Sequence, residues 1–193
     1  MNLPNILTMS RIVMIPVFVA VFYLPVDWRF SVSAAIFALA GATDWLDGYL
    51  ARRLNQATPF GAFLDPVADK LMVAVALTVL VEEHHSAILT LPAVIIIGRE
   101  IVISALREWM AEMGSRASVA VSYIGKIKTT AQMVAIIMLL AFPPGISWAL
   151  VGTVLLYIAA ALTLWSMVLY LRAAWPDLFP AKAKQGANTQ STD

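Results

Sequence analysis

The stretch Asp44-Trp45-Leu46-Asp47-Gly48-Tyr49-Leu50-Ala51-Arg52 is followed, after eight residues, by Gly61-Ala62-Phe63-Leu64-Asp65-Pro66-Val67-Ala68-Asp69. Asp44 and Asp47 are three apart and Asp65 and Asp69 four apart, so each pair shares one face of a helix. The connector between them, Leu54–Thr58, is short. Thr58-Pro59 has the form of an N-cap followed by proline at the first helical position. Two antiparallel helices joined there carry both pairs to the same end. At 1.5 Å per residue, Asp69 stands about 12 Å along its helix from Gly61. The four carboxylates are therefore expected to meet.

Outward from this pair, the chain is too apolar for a soluble domain. Its 193 residues are 61% hydrophobic and 13% charged, about half the charge of an ordinary soluble domain, and its mean hydropathy is +0.81. Exposed to water, such a surface aggregates. A bilayer crossing takes about 20 apolar residues, and six can be drawn: Ile6–Leu24, Phe30–Arg53, Gly61–Val81, Ser86–Leu106, Val119–Phe142 and Ser147–Leu171. Pro25-Val26-Asp27 closes the first and Pro143-Pro144-Gly145 divides the last two. The sequence thus predicts an all-α integral membrane protein of six transmembrane helices. Residues 1–175 form one membrane domain, and 176–193 a polar, disordered cytoplasmic tail. Without cysteine, disulfides and thiolate metal sites are excluded. A net charge of +1 does not suggest nucleic acid as a partner.

Orientation follows from the basic residues. Six spans put both termini on one side. That side receives Arg11, Arg52, Arg53, Lys70, Arg99, Arg107, Arg116, Lys126, Lys128, Arg172, Lys182 and Lys184, whereas the other receives Arg29 alone, beside Glu82 and Glu83. Both termini, and the carboxylate end of the second and third spans, are expected in the cytoplasm.

A carboxylate inside a span costs about 2.5–3.5 kcal/mol on insertion scales, and four together also repel. A hard divalent cation resolves both problems, and oxygen donors without thiolate or imidazole suit magnesium, manganese or calcium. Gly48, Ala51 and Gly61 leave room beside the backbone, and Arg52 is placed to contact phosphate bidentately.

The spacing D-x2-D-G-x2-A-R-x8-G-x3-D-x3-D resembles the signature of the CDP-alcohol phosphotransferase family at every position. The opening Asn2-Leu3-Pro4-Asn5-Ile6-Leu7-Thr8-Met9-Ser10-Arg11, then Gly98-Arg99-Glu100, Ala105-Leu106-Arg107-Glu108-Trp109 and Gly125-Lys126-Ile127-Lys128-Thr129-Thr130-Ala131-Gln132, resemble the bacterial branch whose acceptor is sn-glycerol 3-phosphate. The likeness covers roughly residues 1–175. It implies a six-helix fold, a homodimer, residence in the bacterial cytoplasmic (inner) membrane as a multi-pass protein, and an active site facing the cytoplasm. It implies transfer of a phosphatidyl group from CDP-diacylglycerol to glycerol 3-phosphate with release of CMP. Asp44, Asp47, Asp65 and Asp69 would hold one or two Mg2+ (or Mn2+) ions, and Asp69 would be the catalytic base. Asn5, Thr8, Gly48, Ala51, Arg52 and Gly61 would line the donor site.

An acceptor bearing a phosphate dianion calls for a basic pocket. Arg99, Arg107, Lys126 and Lys128, at the cytoplasmic ends of spans four and five, are the candidates, with Glu100 and Glu108 able to pair with and orient them. Within the family the rival acceptors are serine, inositol phosphate and phosphatidylglycerol. Serine carries no phosphate and needs no such cluster; inositol phosphate does. A cation-coupled transporter using the aspartates as an ion site is the rival from another class. Such transporters show repeated halves with broken helices, and this sequence shows no internal repeat.

Overall fold

The structure, a computed structural model, describes residues 3–54, 59–112 and 123–178. These form six helices: α1 Leu3–Phe22, α2 Arg29–Leu54, α3 Pro59–His84, α4 Ala87–Glu112, α5 Tyr123–Ala141 and α6 Ser147–Leu178. Among the described residues there is no strand. α3 begins on Pro59, where the sequence places it. α6 outruns its expected span by seven residues, because the Arg172-Ala173-Ala174-Trp175 run keeps helical hydrogen bonding after hydropathy has fallen.

The described turns, after α1, α3 and α5, are short, so the helices that each joins run antiparallel. The reversal after α3 uses His85 at φ 43°, and Ser86 caps α4 by accepting the Ile88 amide at 3.2 Å. The reversal after α5 uses Gly145 at φ 94°, a conformation natural only to glycine. At this end of the bundle Arg29 grips Glu83 through both guanidinium nitrogens, at 2.7 and 3.1 Å, and lies over the Phe30 ring at 4.2 Å. Tyr23 donates to Glu82 at 2.7 Å. Two ties thus join the start of α2 and the end of α1 to the end of α3.

The helices close into a ring in the order α1, α2, α5, α6, α4, α3, with α3 also touching α2 and α5. The helix carrying Asp65 and Asp69 is therefore the one in contact with most of the others. Alanine lines much of the interior: Ala34, Ala40, Ala68, Ala76, Ala93, Ala135, Ala159 and Ala160 are all buried. Small side chains allow close backbone approach, which drives helix association where lipid removes the hydrophobic force. The outside is apolar instead, with Phe63 68%, Leu150 67% and Ile101 65% exposed. By length and composition α4 and the stretch Ser147–Trp175 of α6 can each cross a membrane. Among the described residues both the core and the outside are apolar, while the charged Arg11, Arg99 and Lys128 are buried.

Candidate active site

Thr8 and Arg11 stand three apart on α1, so they share a face. Both are buried, each 1% exposed. Thr8 Oγ1 donates to Asp65 Oδ1 of α3, and Arg11 Nη1 donates to Asp44 Oδ1 of α2 at 2.6 Å. One face of the first helix therefore holds a carboxylate from each of the next two. Asp69, one turn beyond Asp65, is exposed and lies within electrostatic reach of Asp44, Arg11, Glu100 and Lys70. It shares with Arg11 a small cavity floored by Phe37, Met72, Val73 and Met133. Gly41 admits Met133 there: a β-carbon at Gly41 would fall 2.6 Å from Met133 Cε.

Asp44 and Asp65 are thus held at one end of the bundle by two α1 residues, with Asp69 close by. Among the described residues, no three of His, Asp or Glu are drawn together closely enough to hold a metal ion. Of the expected ligands, the Asp47 side chain lies outside the described residues, as do those of Asn5, Gly48, Ala51, Arg52 and Lys126. The donor chemistry fits a hard cation: the gathered groups are carboxylates without imidazole, and two are anchored through one oxygen each. Gly61 is buried at the start of α3.

A second polar centre lies beside the first. Glu100 Oε1 accepts Arg99 Nη1 and Lys128 Nζ, each at 2.8 Å. Arg99 Nη2 donates to Ser166 of α6 at 3.0 Å, and Arg99 and Lys128 are 9% and 5% exposed. Arg107, two turns after Arg99, donates to the Tyr170 hydroxyl at 2.7 Å and lies over its ring at 4.9 Å. Ser166 and Tyr170, one turn apart on α6, each hold one arginine of α4. Lys70, next to Asp69, donates to Ser104, which donates to the Glu100 carbonyl. This chain of contacts links the two centres.

Three of the four basic residues predicted for an acceptor pocket are described, and they gather around Glu100 and Tyr170. Arg11, Ser166, Tyr170 and Lys70 belong to the arrangement but are missed as site residues by sequence reasoning. For Ser166 and Tyr170 the available signal is polarity at helical spacing inside an otherwise apolar span.

Comparison with known proteins shows the family. The profile of the CDP-alcohol phosphatidyltransferase family matches residues 1–165. A relative from Pseudomonas fluorescens is 61% identical over 180 residues, covering 92% of both chains. One from Escherichia coli (strain K12) is 59% identical over 177 residues, covering 92% of this chain and 97% of its own. One from Salmonella typhimurium is 60% identical over the same length. All three are named CDP-diacylglycerol–glycerol-3-phosphate 3-phosphatidyltransferase. With apolar helices able to cross a bilayer, this chain is a membrane enzyme and belongs to the CDP-alcohol phosphatidyltransferase family.

Proposed function

We propose that this chain transfers the phosphatidyl group of CDP-diacylglycerol to sn-glycerol 3-phosphate, forming phosphatidylglycerophosphate and CMP. The observation that carries the reading is the adjacency of two unlike centres. Carboxylates Asp44 and Asp65 are fixed by α1, and a cationic cluster on α4 and α5 is linked to the Asp69 neighbourhood through Lys70 and Ser104. The first suits an activated diphosphate; the second suits the phosphate of an acceptor. A serine acceptor would offer the second centre one carboxylate charge in place of a phosphate dianion.

The acceptor hydroxyl oxygen forms a bond to the phosphorus that carries diacylglycerol, and the bond from that phosphorus to the CMP oxygen breaks. Asp69 takes the hydroxyl proton. One or two Mg2+ (or Mn2+) ions held by Asp44, Asp47, Asp65 and Asp69 would supply charge neutralisation at the diphosphate. Asn5, Thr8, Gly48, Ala51, Arg52 and Gly61 line the donor site, and Arg99, Arg107, Lys126 and Lys128 receive the acceptor phosphate. Positioning and electrostatics carry most of the rate, since a carboxylate is a modest base. The reading places six spans in the bacterial cytoplasmic membrane, both termini and the active site facing the cytoplasm. A homodimer belongs to it on the resemblance alone.

The test is product identity. Purified chain given CDP-diacylglycerol, glycerol 3-phosphate and magnesium should form CMP and a lipid bearing one further phosphate in equal amounts. Formation of CMP with phosphatidic acid in place of that lipid would mean hydrolysis and would sink the reading.

A further inference from the structure

Arg99 and Lys128 come from different helices, yet both donate to the same atom, Glu100 Oε1. Buried ion pairs are poor stabilisers, because desolvation offsets most of their attraction. Charges inside apolar helices are costly as well. Packing alone would be better served here by apolar side chains, so this cluster needs a task.

We infer that Glu100 is a positioning residue for the acceptor site: its shared oxygen holds Arg99 and Lys128 side by side and sets the charge of the cluster to match a phosphate monoester. The inference rests on the function proposed above. Without Glu100 the two cations, one from α4 and one from α5, repel each other. With it, they converge on one oxygen, the arrangement in which two cations also grip an oxygen of phosphate. Arg99 is fixed from the other side by Ser166, so the guanidinium cannot follow an incoming anion far. Arg107 lies within electrostatic reach of Lys128 and is held on Tyr170. Arg99, Arg107 and Lys128 less Glu100 leave two net positive charges, and a phosphate monoester near neutral pH brings about two negative ones. Glu100 is 26% exposed, whereas the Arg99 and Lys128 side chains are 9% and 7% exposed. Of the three groups that meet at this oxygen the carboxylate is therefore the most open, as a group beside an entering ligand should be.

Glu100→Gln keeps the shape and one acceptor oxygen but removes the charge. Affinity for glycerol 3-phosphate, read both by calorimetry and as KM, should weaken by about tenfold or more, the scale of one charge-assisted contact. The KM for CDP-diacylglycerol should stay within about twofold, and Glu100→Asp should recover part of the loss because it restores the charge. A purely structural Glu100 would move both substrates together. Equal changes in both KM values, or unchanged acceptor affinity, would overturn the inference. If Glu100→Gln is not recovered folded, Glu100→Asp is compared instead, and changes of equal size in both KM values there overturn the inference. Wild-type protein that binds glycerol 3-phosphate without releasing CMP would instead sink the proposed reaction. Binding to wild type and variant would still decide the role of Glu100.

Discussion

Arg11 Nη1 lies 2.6 Å from Asp44 Oδ1, with the arginine side chain 1% exposed and the aspartate 44% exposed. The cation is buried and the carboxylate half open, so the first helix steers Asp44 from inside while leaving it accessible at the site. Thr8 does the same for Asp65.

Arg11→Met should therefore raise the KM for CDP-diacylglycerol more than that for glycerol 3-phosphate. A hydrogen bond to a charged group contributes about 1.5–3 kcal/mol, roughly ten- to a hundredfold in affinity. Partial solvation of Asp44 places the effect toward the lower end. Arg11→Lys should recover part of it. Initial rates with each substrate varied in turn provide the check, and equal effects on the two would mean that Arg11 serves packing alone.

Topology is tested on the cysteine-free chain. Cysteines at Asp27 and Pro144, both exposed at the end away from the carboxylates, should react with an impermeant thiol reagent applied to sealed cells. One at Lys184 should not react. Gly145 is avoided because its φ of 94° strains any other residue. Labelling of Lys184→Cys from outside would reverse the orientation and move the site out of the cytoplasm.

The four carboxylates should fall into two classes. Asp69→Asn keeps size and one oxygen but removes the proton acceptor. It should abolish turnover while magnesium-dependent binding of CDP-diacylglycerol persists. Asp44→Asn, Asp47→Asn and Asp65→Asn should weaken donor and metal binding together, since each removes a charge that offsets the cation. Donor binding at several magnesium concentrations, alongside CMP release, separates the classes. Substantial turnover by Asp69→Asn would remove it as the base.

Much of this architecture is legible in the sequence because a bilayer simplifies the reading. Spans about 20 residues long separated by Pro143-Pro144-Gly145 or Pro25-Val26-Asp27 locate the helices, and the spacing of Asp44, Asp47, Asp65 and Asp69 fixes their shared faces. The partners across helices are not legible. Periodicity says that Thr8 and Arg11 share a face of α1, but nothing local says that this face meets α2 and α3. Arg11 reads as a basic flank, although it is buried on Asp44. Arg99 and Lys128 read as phosphate ligands that Glu100 or Glu108 could orient, but nothing in the sequence says that one oxygen of Glu100 takes both. Ser166 and Tyr170 are polar at helical spacing in the apolar α6, but nothing local says that this face meets the arginines of α4.

The central claim is that this chain uses CDP-diacylglycerol as donor and sn-glycerol 3-phosphate as acceptor. The most direct measurement is CMP release by purified protein in magnesium, with glycerol 3-phosphate, serine, inositol phosphate and phosphatidylglycerol supplied in turn. The account predicts rapid release with glycerol 3-phosphate, background release with the others, and none after chelation of the metal. Faster release with another acceptor, or release indifferent to any acceptor, would contradict it.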